Sequence, residues 1–183
     1  MRRICLALVL IACAGAAAAS ASPERIGRLR RVDDARRLDR LAGLIAGYQH
    51  ATWRWQRLMG VPRTETEGRV LSTMRIADVE QALELWRGRA ARAGARAQHP
   101  PDLGAWLCIH HYEGSWTDAG APYYGGLQMD LGFMRRYAGW LLRTKGTADH
   151  WTPLEQIWTA EKARRSGRGF WPWPNTARVC GLV

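Results

Sequence analysis

The sequence predicts a mostly helical protein of the α+β kind. An α-helical hairpin comes first, and a small domain with a short β-hairpin region follows it. Three observations carry this expectation. Apolar residues recur at steps of three and four over two stretches ahead of His99-Pro100-Pro101. Beyond Pro101 the composition shifts to aromatics, glycine and two cysteines. Within that second part, Tyr123-Tyr124-Gly125-Gly126 interrupts the helical spacing and allows a short strand and a tight turn.

A chain of 183 residues is one domain, or one small domain with an appendage. Arg2 and Arg3 precede the apolar run ICLALVLIACAGAAAA, and Ala19-Ser20-Ala21 supplies a small-x-small cleavage pattern. Residues 1–21 therefore read as a secretory signal peptide, and the mature protein as secreted or held in the cell envelope. Leu10-Ile11-Ala12-Cys13 also fits a lipoprotein cleavage site. The apolar run before Cys13 is short, however, and the cut after Ala21 is better placed. Export leaves Cys108 and Cys180 as the cysteines of the mature chain. In an oxidising compartment two cysteines most simply form one disulfide. Closing a loop of about seventy residues stabilises by about 4 kcal/mol on the chain-entropy argument.

Residues 22–101 read as a basic hairpin and linker region. The stretch 22–32 is polar, basic and aperiodic, as in a linker. From Val32 to Met59, the residues Leu41, Ile45, Tyr48, Thr52, Trp55 and Met59 form one helical stripe, and Gly60-Val61-Pro62 stops it. A second stripe runs through Ile76, Val79, Leu83, Trp86, Ala90 and Ala93. Trp53, Trp55 and Trp86 are expected in the contact between the helices rather than on a sugar.

The net charge of +11 raises the question of nucleic acid, but 25 of the 27 basic residues are Arg in a chain rich in Ala and Gly. That bias matches GC-rich codon usage rather than selection for phosphate contacts, and no nucleic-acid partner is expected. Residues 22–100 carry a net +7 and residues 101–183 only +2. A basic region on an exported protein suits anionic wall polymers.

In residues 102–183, Leu103 to Tyr112 reads as a helix with Asp102 as N-cap and Leu103, Trp106 and Leu107 as its buried edge. Gly114 stops it, which leaves Glu113 at its C-terminus. Leu127 to Leu142 resumes helical spacing. Thr152-Pro153-Leu154-Glu155 combines a capping box with proline at the first helical position. The helix it starts carries Leu154, Ile157, Trp158 and Ala160 inward and ends near Gly167.

The stretch HHYEGSW, residues 110–116, concentrates proton-carrying groups. His110 and His111 are adjacent, so on a helix they point about 100 degrees apart and do not share an ion. No third ligand stands at a metal-site spacing, so neither metal nor cofactor is expected. Ser115 lacks the Gly-x-Ser-x-Gly elbow of a serine nucleophile. Two readings of Glu113 stay open on the residues alone. It is a solvated glutamate at a fraying helix end, or it is a general acid. Apolar neighbours and the negative end of the helix dipole would raise its pKa in the second case.

Glu113-Gly114-Ser115, a loop, Tyr123-Tyr124-Gly125-Gly126-Leu127-Gln128 and a late Trp171-Pro172-Trp173-Pro174 followed by Cys180 form an ordered set. This set resembles the resuscitation-promoting-factor type of transglycosylase-like domain, a member of the lysozyme-like superfamily. The resemblance runs from about Trp106 to Cys180. Three features depart from the family pattern. Cys108 lies one helical turn earlier than the family's cysteine, Gly114-Ser115 inverts the usual Ser-Gly, and the stretch before Cys180 is longer. The resemblance implies a lysozyme-like fold and cleavage of the β-1,4 glycan strands of peptidoglycan, with Glu113 as general acid. It implies that Tyr124 and Gln128 line the sugar groove, with Trp116 and Trp173 as stacking surfaces. Tyr123 then stands where c-type lysozymes carry their second carboxylate. Asp118 and Asp130 read as loop or cap residues, and His110 or His111 as helix-surface residues that could tune Glu113. The alternative expectation is a peptidoglycan-binding module that keeps the groove without turnover.

Overall fold

The computed structural model describes residues 22–66 and 74–183. The expected signal peptide and the Cys13 alternative lie outside the described residues. No described helix is long and apolar enough to cross a membrane.

Helix α1 runs Pro23–Met59 and α2 Ile76–Ala97. The expectation of a linker over 22–32 is corrected, because α1 begins at Pro23. Aperiodic apolar residues argue against burial but not against a helix. Arg, Leu and Glu are good helix formers, Pro23 sits where its missing N–H costs nothing, and Glu24 complements the helix dipole. The chain divides after Arg37. Of the part before that point, residues 22–37 are the opening turns of α1, with Ile26, Leu29 and Val32 exposed.

In the second unit, Leu38–Val183, the rest of α1 pairs with α2 around buried Ile45, Val79 and Trp86. Trp53 meets Trp86 edge-on with ring centroids 6.0 Å apart, so both serve the hairpin contact as expected. A second cluster of Leu58, Met59, Ala97 and Trp158, with Trp55 packed against it, joins the hairpin's end to the helix after Thr152. There the Trp158 indole N–H donates to the Ala97 carbonyl at 2.7 Å, fully buried.

Lys162 lies in this joint, its stem against Gly60. Burial pushes its ammonium down to about 8, and the charges of Arg165 and Arg57 add to the effect. Between about pH 8 and the ordinary value of 10.5 the unfolded chain therefore holds more protons than the folded one, and stability rises with pH across that window. Below pH 8 both states are charged, and the fold carries the whole penalty, on the order of 3 kcal/mol. Lys162→Met, which keeps an apolar stem, is expected to stabilise the protein by about 2 kcal/mol at pH 7 and by much less near pH 10.5. Urea unfolding at the two pH values checks this, and a gain of equal size at both would contradict it.

The main core packs α3 (Leu103–Glu113), α4 (Leu131–Lys145), α5 (Pro153–Ala163) and α6 (Pro174–Val179) around Trp106, Ile109, Leu127, Met134, Leu141 and Trp173. Two expectations for α3 are corrected. Leu107 is 47% exposed, because the buried stripe centres on Trp106 and Ile109 and leaves position 107 beyond its edge. Asp102 holds the N-cap position without a capping hydrogen bond. Its carboxylate instead forms an ion pair with Arg164, which also clamps the fully buried Glu161 at 3.0 Å. Those carboxylates, the Glu161 hydrogen bond first, hold the guanidinium above its ordinary pKa.

Helix α4 starts at Leu131 rather than Leu127, because the Asp130 carboxylate caps it by accepting the Phe133 N–H at 2.7 Å. The capping box of α5 is present in both directions between Thr152 and Glu155. A wide helical turn, Arg164–Arg168, extends α5 as far as the predicted stop at Gly167. The expected short β-hairpin is corrected to a single antiparallel bridge between Tyr124 and Met129. Gly125 at φ 74° and Gln128 at φ 48° both lie in the left-handed region. The chain reverses within four residues and enters α4 at once, so no ladder can lengthen.

Candidate active site

Glu113 is the last residue of α3. Gly114 follows at φ 135°, a conformation that a side chain rarely tolerates, and turns the chain out of the helix. Glu113 is half-buried, and its Oε1 accepts the Thr176 hydroxyl of α6 at 2.7 Å. Among the described residues Oε2 has no hydrogen-bond partner. The same two helices are joined by the expected Cys108–Cys180 disulfide, with Cα atoms 6.1 Å apart. Cys108 lies five residues before Glu113 and Cys180 four after Thr176, so one covalent bond sets the register of the carboxylate and its donor.

The loop after Gly114 returns to it. Asp118 Oδ1 accepts the Gly120 N–H at 3.0 Å, and Oδ2 accepts the Gln128 amide at 2.8 Å. A Cβ on Gly114 would stand 3.7 Å from Asp118 Oδ2 and 3.9 Å from Gln128 Nε2. Glu113's neighbour is thus close to a carboxylate and an amide that stand ten residues apart in the sequence.

Gly125 and Gly126 are required by close approach. A Cβ at Gly125 would lie 2.4 Å from Gln156 Oε1, and one at Gly126 would lie 2.5 Å from the His110 ring. The Gln156 side chain, fully buried on α5, accepts the Gly126 N–H at 2.9 Å and donates to the carbonyls of Trp116 and Ala148 at 2.8 Å. One amide therefore satisfies backbone groups from both sides of the loop, groups that would be costly to bury unpaired.

The remaining predicted residues divide between groove and core. Tyr123, 49% exposed, and Gln128 line a groove of about 420 Å³ together with Asp130, Arg136, Arg168 and the edge of Trp173. Tyr124 forms the backbone bridge and packs against the core. Trp173 is corrected from stacking surface to core residue. It is 4% exposed, meets Trp106 edge-on at 5.0 Å and donates its indole N–H to the Leu127 carbonyl. Trp116 is half-buried, its ring stacked on His110 at 3.8 Å and packed against the main core, which leaves little of it to stack on a ligand. His110 Nδ1 lies 3.2 Å from the Gly126 carbonyl, a contact that requires the proton on Nδ1. His111 is exposed and packs edge-on to Tyr112. Among the described residues no group of three His, Cys, Asp or Glu side chains could hold a metal ion.

Sequence reasoning missed Thr176, Gln156, Arg136 and Arg168. A signal for Thr176 existed, since it lies one helical turn before Cys180 on the helix that the disulfide draws to α3. Trp171 of the Trp-Pro-Trp-Pro segment is 71% exposed, whereas Trp173 is buried.

Comparison with known proteins returns no match: no family model, no curated protein and no solved structure matches this chain.

Proposed function

We propose that this protein is an exported, lysozyme-like enzyme that cleaves the β-1,4 glycan strands of peptidoglycan, with Glu113 as its general acid. The observation that carries this reading is the half-buried Glu113 carboxylate, held at one oxygen by Thr176 and open at the other. Tyr123 and Gln128 contribute the neighbouring groove, and Arg136 and Arg168 give it cations suited to the carboxylates of muramic acid and its peptides. The basic hairpin region would meet anionic wall polymers. No nucleic acid, metal or cofactor has a role in the reading.

The chemistry follows from what a single free carboxylate can do. Glu113, protonated, donates to the glycosidic oxygen as the bond from the anomeric carbon to that oxygen breaks. The C6 hydroxyl of the same muramic acid then closes on the anomeric carbon, and its proton returns to the Glu113 carboxylate. Hydrolysis with retention or inversion would need a second carboxylate, to attack or to activate water. Asp118 accepts hydrogen bonds at both oxygens, and Asp130 caps α4. With both carboxylates committed to the fold, the intramolecular route is favoured.

Mass spectrometry of purified peptidoglycan incubated with the mature protein in ¹⁸O-water tests this reading. The expected products carry 1,6-anhydromuramic ends and no label. Labelled reducing ends would replace the transglycosylase by a hydrolase and direct attention to Asp118. Binding without any new ends would favour the non-catalytic wall-binding module.

A further inference from the structure

A second concave surface shares no residue with the Glu113 site or its groove. It has a volume of about 620 Å³ and is lined chiefly by His50, Trp53, Arg54, Arg57, Arg63 and Trp140, and among the described residues no carboxylate lines it. His50, Arg54 and Arg57 follow at i, i+4 and i+7 of α1 and so share one helix face. Arg63 reaches them because the chain folds back after Gly60, which has φ 66°.

That return is fastened at several points. The Val61 N–H donates to the Gln56 carbonyl at 3.0 Å. The Thr64 N–H donates to Gln56 Oε1 at 3.0 Å, and Gln56 Nε2 donates to the Thr64 hydroxyl at 2.6 Å. The Trp53 indole N–H donates to the Thr64 carbonyl at 2.9 Å.

The result is a set of held cations. The Arg63 guanidinium lies 3.4 Å over the Trp53 ring, and that of Arg57 lies 4.8 Å over the ring of Trp140. Stacking occupies the face of a guanidinium and leaves its N–H edge, which is the part that pairs with an oxyanion. Among the described residues no carboxylate forms an ion pair with Arg54, Arg57 or Arg63. The positive field also reaches inward. After burial and Arg165, Arg57 is a further cause that pushes Lys162 down to about 8. Among the described residues, three exposed cations gather beside a fastened loop with no carboxylate paired to them, an arrangement that attracts an anion.

We propose that this cavity binds the phosphoryl group of a phosphorylated saccharide, with Arg54, Arg57 and Arg63 as its donors. Trp53 and Trp140 serve as the surfaces that hold two of the forks in place. A single carboxylate engages one fork, whereas the three oxygens of a phosphoryl group can engage three donors. The volume lies within the usual range of small-ligand sites and leaves room for a sugar ring beside the anion. The inference does not depend on glycan cleavage, and its readout is binding alone.

Calorimetric titration of the mature protein with glucose 6-phosphate, glucose and inorganic phosphate tests it. Saturable binding of glucose 6-phosphate is expected, with inorganic phosphate weaker and glucose silent. Arg63→Gln and Arg57→Lys are each expected to weaken binding by about tenfold, the second because an ammonium keeps the charge but loses the fork. Equal binding by wild type and both variants would overturn the site, as would glucose binding as well as its phosphate. Inorganic phosphate binding as tightly as glucose 6-phosphate would overturn the saccharide assignment. Circular dichroism of the two variants, expected to match wild type, separates a lost site from a lost fold.

Discussion

Glu113→Gln is expected to lower glycan cleavage by about 10²–10⁴-fold while the fold persists, because a positioned acid contributes an effect of that size. The substitution changes little in shape. The glutamine carbonyl can still accept the Thr176 hydroxyl, which now meets Glu113 Oε1 at 2.7 Å, so the link between α3 and α6 is retained. What disappears is the proton for the leaving oxygen. Product formation from purified peptidoglycan measures the loss, and unfolding in urea verifies that stability is kept. Residual turnover within about tenfold of wild type would contradict the role of Glu113 as the acid.

Replacing both cysteines, Cys108→Ser with Cys180→Ser, is expected to cost about 4 kcal/mol of stability, since the bridge closes a loop with a sequence separation of 72. Besides the bridge, the segment is tied to α3 by the Thr176–Glu113 hydrogen bond and by Trp173 against Trp106. Freed from Cys108, α6 should carry Thr176 away from Glu113 more often, so activity should fall along with stability. Denaturant unfolding of the oxidised wild type and the double variant provides the comparison. A stability change below about 1 kcal/mol would show that packing of Trp173 and Ala177 alone holds the C-terminal segment.

The predictions that held rest on local rules. The stripes of α1 and α2 follow from the helical repeat, and the α5 start follows from hydrogen bonds between residues three apart. Gly114 ends α3 because its backbone angle suits glycine. The disulfide followed from counting, since the expected removal of residues 1–21 leaves two cysteines to pair. Expectations failed where a local signal competes with distant packing. Tyr123-Tyr124-Gly125-Gly126 has strand-and-turn composition, yet the early Asp130 cap and left-handed Gln128 leave only a bridge. The two glycines also meet a need that the turn does not show, namely room for Gln156 and His110.

By itself the sequence determined the stripes of α1 and α2, the start of α5, where α3 ends and that Glu113 stands at that end, because each depends on residues within a few positions of one another. Only the tertiary structure decided what surrounds that glutamate. Thr176 is 63 residues away, and the Gln156 amide that braces the loop reaches Gly126 across 30 residues and Trp116 across 40. The same holds for Trp173, whose side chain reads as a sugar platform from its motif but is buried by Trp106 and Phe133. Hydrogen bonds and ring contacts between distant residues leave no periodic trace along the chain. They exist only once the apolar faces of α3 to α6 have closed on each other and the buried polar groups have had to find partners.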